Sequence, residues 1–186
     1  LTSKSKKVIL IGADLRNPQI HKIINVKKSE KGLSNIIYNK DFANYKSYLK
    51  KHNQLDILLS GTIPPNPTEL LSSNAFSELL ERLKNDYDYI VIDSAPCILV
   101  SDTFEITKYV DSILYIVRAN YSESTVCNYI NECKEQGKFN KINVVLNAVG
   151  NSSEYGYKYN YQYGYKYGYK YSYNYGYGYG YQEDKD

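Results

Sequence analysis

The chain has 186 residues, a net charge of +3, and 23 tyrosines but no methionine or tryptophan. That length bounds it to one domain plus a tail, with residues 1–150 long enough to bury a core. The small charge gives weak support to nucleic-acid binding. Three cysteines without CxxC spacing favour a reduced, cytoplasmic environment over a disulfide framework, and no membrane-length apolar run or signal peptide occurs.

A chain that opens on Leu1 and lacks methionine reads as the C-terminal piece of a longer protein, with room for a membrane anchor in the rest. Val8-Ile9-Leu10-Ile11 is a short continuous apolar run closed by Gly12-Ala13-Asp14-Leu15-Arg16-Asn17-Pro18, the pattern of a buried parallel strand with a functional C-terminal end. Residues 19–54 read as irregularly helical, with short amphipathic pieces at 32–38 and 45–49. Leu55 to Leu59 is a second strand, followed by a loop stiffened by Pro64, Pro65 and Pro67. A helix is expected from Pro67 to about Lys84, with Asn66 as its cap, Pro67 in the first turn and Glu69 where a capping-box acid belongs. Tyr89 to Ile92 is a strand closed by Asp93-Ser94-Ala95-Pro96. A short helix near Thr103–Lys108, with Asp102 as its cap, leads to a strand over Ile113–Val117. Ser122 caps a further helix that stops at Gly137, and the last strand runs from Ile142 to Leu146 and ends at Asn147. Nearly all-apolar strands alternating with helices predict a parallel α/β sheet over 1–150.

Residues 151–186 differ in kind. Every odd position from Tyr155 to Tyr181 is tyrosine: Tyr155, Tyr157, Tyr159, Tyr161, Tyr163, Tyr165, Tyr167, Tyr169, Tyr171, Tyr173, Tyr175, Tyr177, Tyr179 and Tyr181. No core packing explains such a run, which reads as a flexible tail serving as substrate, sticky surface or assembly element.

In an open parallel sheet, ligands bind beyond the carboxyl ends of the strands. There stand Asp14, Asp93 and Asn147. Two carboxylates at neighbouring strand ends could hold Mg²⁺ through oxygen ligands, and one could instead take a proton from an attacking hydroxyl. The plainer alternative is that each acid caps a following helix. Arg16 is either a phosphate contact or a solvated charge. His21 and His52 lack metal-ligand spacing and are expected at the surface, and the cysteines read as small core residues. No GxxxxGK[ST] phosphate loop is present.

Three segments resemble the bacterial tyrosine kinases of capsule and exopolysaccharide synthesis (BY-kinases). ILIGADLRNP resembles their second Walker-type motif, LLSGTIPPNPTELLSS their linker into the next helix, and YIVIDSAPCILVSD their Walker B strand and loop. A C-terminal tyrosine cluster is the family's other hallmark. The resemblance covers about 1–150 plus the tail, and the MinD/ParA group of P-loop ATPases shares the Walker B strand. It implies a P-loop NTPase sheet with helices on both faces and its first strand missing.

The resemblance also implies roles. Asp14 corresponds to the second acid of the family's Asp-x-Asp motif, which binds Mg²⁺ and activates the tyrosine hydroxyl. Asp93 corresponds to the Walker B acid, a Mg²⁺ ligand through water. Asn147 corresponds to an adenine contact in related ATPases; Arg16, open from its residues alone between phosphate contact and solvated charge, is kept beside it as a cofactor-binding candidate. Gly12 departs from the pattern, standing where the first acid is usual. The implied reaction is phosphoryl transfer from Mg·ATP to the tail tyrosines of a neighbouring subunit in a ring-like homo-oligomer. The implied partners are a membrane polysaccharide co-polymerase or activator segment and a protein-tyrosine phosphatase, at the cytoplasmic face of the inner membrane and without nucleic acid. Residues 1–186 alone are expected to bind no ATP measurably. A MinD/ParA-like ATPase and a non-catalytic Tyr-rich assembly module are the alternatives.

Overall fold

A computed structural model describes residues 5–139 and 141–149. The expected tail over 151–186, with all fourteen alternating tyrosines, lies outside the described residues. The elements in order are β1 (Val8–Gly12), α1 (Ile20–Ile23), α2 (Leu33–Asn39), a 3₁₀ turn (Tyr45–Tyr48), β2 (Lys50–His52), β3 (Leu55–Leu58), α3 (Pro67–Ser72), α4 (Asn74–Asp86), β4 (Tyr89–Asp93), α5 (Asp102–Thr107), β5 (Ile113–Arg118), α6 (Thr125–Glu135) and β6 (Ile142–Asn147).

Four strands form a sheet in the order β2-β3-β1-β4, and β5 pairs with β6 in a second, two-stranded ladder. β1 runs parallel to both β3 and β4, as the apolar runs predict. Side chains alternate across this sheet. Ile9 and Ile11 face a core shared with Leu33, Ile36, Phe76, Leu79 and Leu83 of α2 and α4. Leu10 and Ile57 face the opposite side, where Ile20 and Ile24 of the α1 segment cover them. Helices thus lie on both faces. Burying a side chain of this size is worth about 1.5–3 kcal/mol, so the β1 strand is held firmly and its C-terminal end is well placed.

Several local expectations give way to tertiary context. β2 falls inside the stretch 19–54 that reads as irregularly helical. Lys50-Lys51-His52 shows no apolar alternation, but it pairs antiparallel with β3 as an edge strand, where charge is tolerated. Asn53, at φ 55°, makes the tight turn between them. The single helix expected over 67–84 breaks at Ser73. That residue is extended (ψ 152°), its hydroxyl accepts from Phe76 N, and it caps α4. At Asn66 the side chain donates to Glu69 Oε2 at 2.6 Å instead of capping the backbone. Ser122 is not a helix cap either: its Oγ accepts from Arg118 N at 3.0 Å, and α6 begins at Thr125. Gly137 does end that helix, at φ 68°.

His21 is buried, contrary to the surface position expected of it, in the first turn of α1 beside a small hollow lined also by Leu59, Ser60 and Gly61. Its pKa is lowered by burial first, then by the charges of Lys22 and Lys28. His52 is exposed as expected. Of the cysteines only Cys133 is buried; Cys97 is half-buried and Cys127 exposed.

Two features bear on function. Among the described residues the outer edge of β4 has no strand beside it, and Tyr89 and Val91 on it each keep 43 % of their surface open. Leu114 and Ile116 of β5 are likewise exposed. No helix among the described residues is long and apolar enough to cross a membrane.

Candidate active site

The site grows from the parallel pairing of β1 and β4. Their register sets Gly12 opposite Asp93, and Ala13 N donates to Asp93 O at 2.7 Å just beyond the strand. This places the loop that carries Asp14 directly against the end of β4. Asp14 Oδ1 accepts from Arg16 N (3.1 Å) and Asn17 N (2.9 Å), closing a tight turn. That turn gives the plainer alternative its due: Asp14 does organise local backbone. It uses only Oδ1 for this, so Oδ2 stays outside the turn.

Asp93 stands exposed at the strand end with its carboxyl partly enclosed. Its pKa is raised, first by burial and then by the negative charge of Asp14. The two acids expected to act together are therefore electrostatic neighbours. Among the described residues no basic side chain offsets this shift, which is the situation a hard cation relieves. Mg²⁺ is commonly held by one or two carboxylates together with substrate phosphates and waters. Asp14 and Asp93 fit that donor set, and no cluster of three or more His, Cys, Asp or Glu side chains suited to a metal occurs among the described residues.

Gly12 is explained by packing. A Cβ there would lie 2.7 Å from Ser60 Oγ and 3.2 Å from both Ser60 N and Ile20 Cδ1. The space that a first acid would occupy is filled by Ser60 and Ile20.

The Arg16 side chain pairs with Asp102. Its Nε and Nη2 donate to Asp102 Oδ2 (2.7 Å) and Oδ1 (3.0 Å) in a two-pronged ion pair. Thr68 Oγ1 of α3 also donates to Asp102 Oδ1, at 2.5 Å. Asp102 keeps only 1 % of its surface. Burial would raise its pKa, but the bonds from Arg16 and Thr68 outweigh that and hold it below its ordinary value. Asp102 is thus not the helix cap expected of it. It is the first residue of α5, after Ser101, with its carboxylate turned inward. The sequence offered one signal: an arginine in a buried loop needs an acid. Nothing local says which.

Asn147 belongs to the other sheet. It pairs with Arg118 in the β5–β6 register, and its Oδ1 accepts from Ala148 N at 2.8 Å. The structure brings Asp14 and Asp93 together, with the backbone of Arg16 in the same turn. The fourteen tyrosines fall outside the described residues.

No family model matches the chain. Among curated proteins it is 34 % identical over 162 residues to the tyrosine-protein kinase CpsD of Streptococcus agalactiae, covering 81 % of this chain and 69 % of that protein. It is 30 % identical over 156 residues to the tyrosine-protein kinase YwqD of Bacillus subtilis, covering 83 % of this chain and 65 % of the relative's length. Among solved structures, the kinase domain of VpsO superposes with a TM-score of 0.70 at 35 % identity, over 80 % of this chain and 73 % of the other. The cell-division ATPase MinD of Pyrococcus furiosus superposes with a TM-score of 0.60 at 19 % identity, over 81 % and 63 % of the two chains, a likeness of fold that matches the expected P-loop NTPase architecture. With the motifs around Asp14 and Asp93, these likenesses show that the chain belongs to the bacterial tyrosine-protein kinase family.

Proposed function

We propose that the chain carries the catalytic carboxylates of an ATP-dependent protein-tyrosine autokinase of capsule and exopolysaccharide synthesis. The convergence of Asp14 and Asp93 across the β1–β4 register carries the reading. Both carboxylates would hold Mg²⁺ through oxygen, and the ion would offset charge on the phosphates of ATP. Asp14 accepts the proton of an incoming tyrosine hydroxyl. The phenolic oxygen takes the γ-phosphoryl group as its bond to the β-phosphate oxygen breaks, and ADP leaves. Catalysis of this kind is mostly positioning and charge stabilisation, which a pair of fixed carboxylates supplies. A phosphate-binding strand and loop would add at the open edge of β4, beside Asp93. Asn147, at the end of β6, is the proposed adenine contact.

The acceptors are Tyr155 to Tyr181 of a neighbouring subunit in a ring-like homo-oligomer. The 32 residues from 155 to 186 would reach about 105–115 Å extended and about 28–34 Å as a coil, enough to enter an adjacent site. Each phosphate adds about −1.5 to −2 charges, so a neutral tail becomes strongly anionic. Repulsion then loosens the ring, a phosphatase resets it, and the cycle regulates a membrane polysaccharide co-polymerase at the cytoplasmic face of the inner membrane.

Incubating the full-length protein with labelled ATP and Mg²⁺ tests this. Label on tail tyrosines is expected, with loss of labelling in Asp14→Ala. Release of free phosphate without tyrosine label would instead favour a MinD/ParA-like ATPase, and full labelling by Asp14→Ala would remove Asp14 from the mechanism.

A further inference from the structure

Both acid-bearing loops are tied to the same short stretch of chain. Asp102 grips Arg16, two residues after Asp14, through two hydrogen bonds. The next residue, Thr103, donates from Oγ1 to Ala95 O at 2.5 Å, two residues after Asp93. Thr68 braces Asp102 from α3. The first turn of α5 therefore bonds to the loop of each acid, at Arg16 and at Ala95. Asp102 is almost fully buried and Arg16 partly so, with side-chain exposures of 2 % and 26 %, so the link is largely shielded on the carboxylate side.

We propose that Asp102, Arg16 and Thr103 are positioning residues that set the separation of Asp14 and Asp93, with Arg16 spent on this linkage and not on a phosphate. This rests on the reading of Asp14 and Asp93 as the Mg²⁺ pair. The guanidinium suits the task because its planar fork engages both carboxylate oxygens at once and so fixes orientation as well as distance. Two carboxylates repel each other, and their loops must be restrained if the pair is to meet a cation ready-made. Partners bonded directly to a ligand change metal affinity by about 10–100-fold when removed, and a frame that acts through the ligand's loop is expected at the lower end of that range.

The test uses the full-length protein with Mn²⁺ as the probe. Bound and free Mn²⁺ are separated by electron paramagnetic resonance in the presence of ADP, and the Mg²⁺ dependence of tyrosine labelling is measured in parallel. Asp102→Asn should raise the half-saturating Mn²⁺ concentration about tenfold or more, with much of the labelling rate restored at saturating metal. Asp102→Asn leaves the arginine short of a charge partner and risks misfolding. The double variant Arg16→Met with Asp102→Leu removes the pair without leaving a buried charge, and it should fold yet show the same weakened metal binding. Thr103→Val, which loses one hydroxyl, should show a smaller rise. A folded double variant with wild-type Mn²⁺ binding overturns the proposal. If neither Asp102 variant folds, unchanged Mn²⁺ binding by Thr103→Val overturns it. Asp14→Ala separates the two levels. Undiminished tail labelling by that variant defeats the functional reading, whereas lost labelling alongside wild-type metal binding in the double variant defeats only the positioning role.

Discussion

Adding one methyl at Gly12 tests how the end of β1 is packed. The new Cβ of Gly12→Ala would stand 2.7 Å from Ser60 Oγ and 3.2 Å from Ser60 N and Ile20 Cδ1, well inside the roughly 3.5–4.0 Å of a relaxed carbon contact. Ser60 is buried, so its hydroxyl has little room to swing. Overpacking of this order costs about 1–3 kcal/mol. Gly12 is not among the residues at positive φ, so alanine also gains about 0.4–1 kcal/mol by narrowing the unfolded ensemble. The net expectation is a loss of roughly 0.5–2 kcal/mol. Pairing it with Ser60→Ala removes the nearest atom, and the double-mutant cycle should return a favourable coupling of about 1 kcal/mol. Urea unfolding of the full chain, followed by circular dichroism, measures both quantities. A Gly12→Ala protein at least as stable as the parent, with no coupling to Ser60, would refute the packing account of the missing first acid.

In Gly32→Ala the Cβ would fall 2.1 Å from Leu59 O and 2.7 Å from Gly61 N. Backbone on that side cannot swing away, so the loss of melting temperature should exceed that of Gly12→Ala. His21 has its pKa lowered by burial and then by Lys22 and Lys28, while the unfolded chain protonates near about 6.5. Unfolded molecules therefore bind more protons just below that pH, and stability falls as pH drops through it. His21→Gln should flatten this slope in urea midpoints measured between about pH 5 and 7.5. At Asp93 burial and the Asp14 carboxylate raise the pKa, so folding penalises the charged form. Asp93→Asn should melt higher than the parent in EDTA at neutral pH while losing tyrosine labelling; a lower melting point would show that the carboxylate is a net stabiliser of the metal-free fold.

What was legible in the sequence is what neighbours in sequence decide. The run from Val8 to Ile11 is apolar on both faces, so a buried parallel strand followed from four residues, and the small and acidic residues after it marked the ligand end. The same reasoning located β4 and Asp93. The edge strand Lys50–His52 was hidden because its pairing is with β3 and nothing in its own composition announces it. The break at Ser73 was hidden for a related reason: Leu71, Phe76, Leu79 and Leu83 keep helical spacing across it, and all four are buried on either side of the kink. Periodicity cannot see a kink that preserves the buried face.

The acid pair and its support differ in the same way. Asp14 and Asp93 each end a strand, and a parallel sheet brings the ends of adjacent strands together, so their meeting follows from topology. Asp102 lies 86 residues from Arg16, in a loop-to-helix junction where an acid ordinarily caps the helix. Only the packing of α5 against α3 turns its carboxylate inward, onto Thr68 and the arginine. Once buried there, the carboxylate cannot be left without a cation, because an unpaired charge in that position costs about 3–5 kcal/mol. In the fold that cation is Arg16, whose Nε and Nη2 meet both carboxylate oxygens. In the proposed linkage, an arginine that reads from sequence as a cofactor contact serves, through burial of its partner, in the frame that holds Asp14.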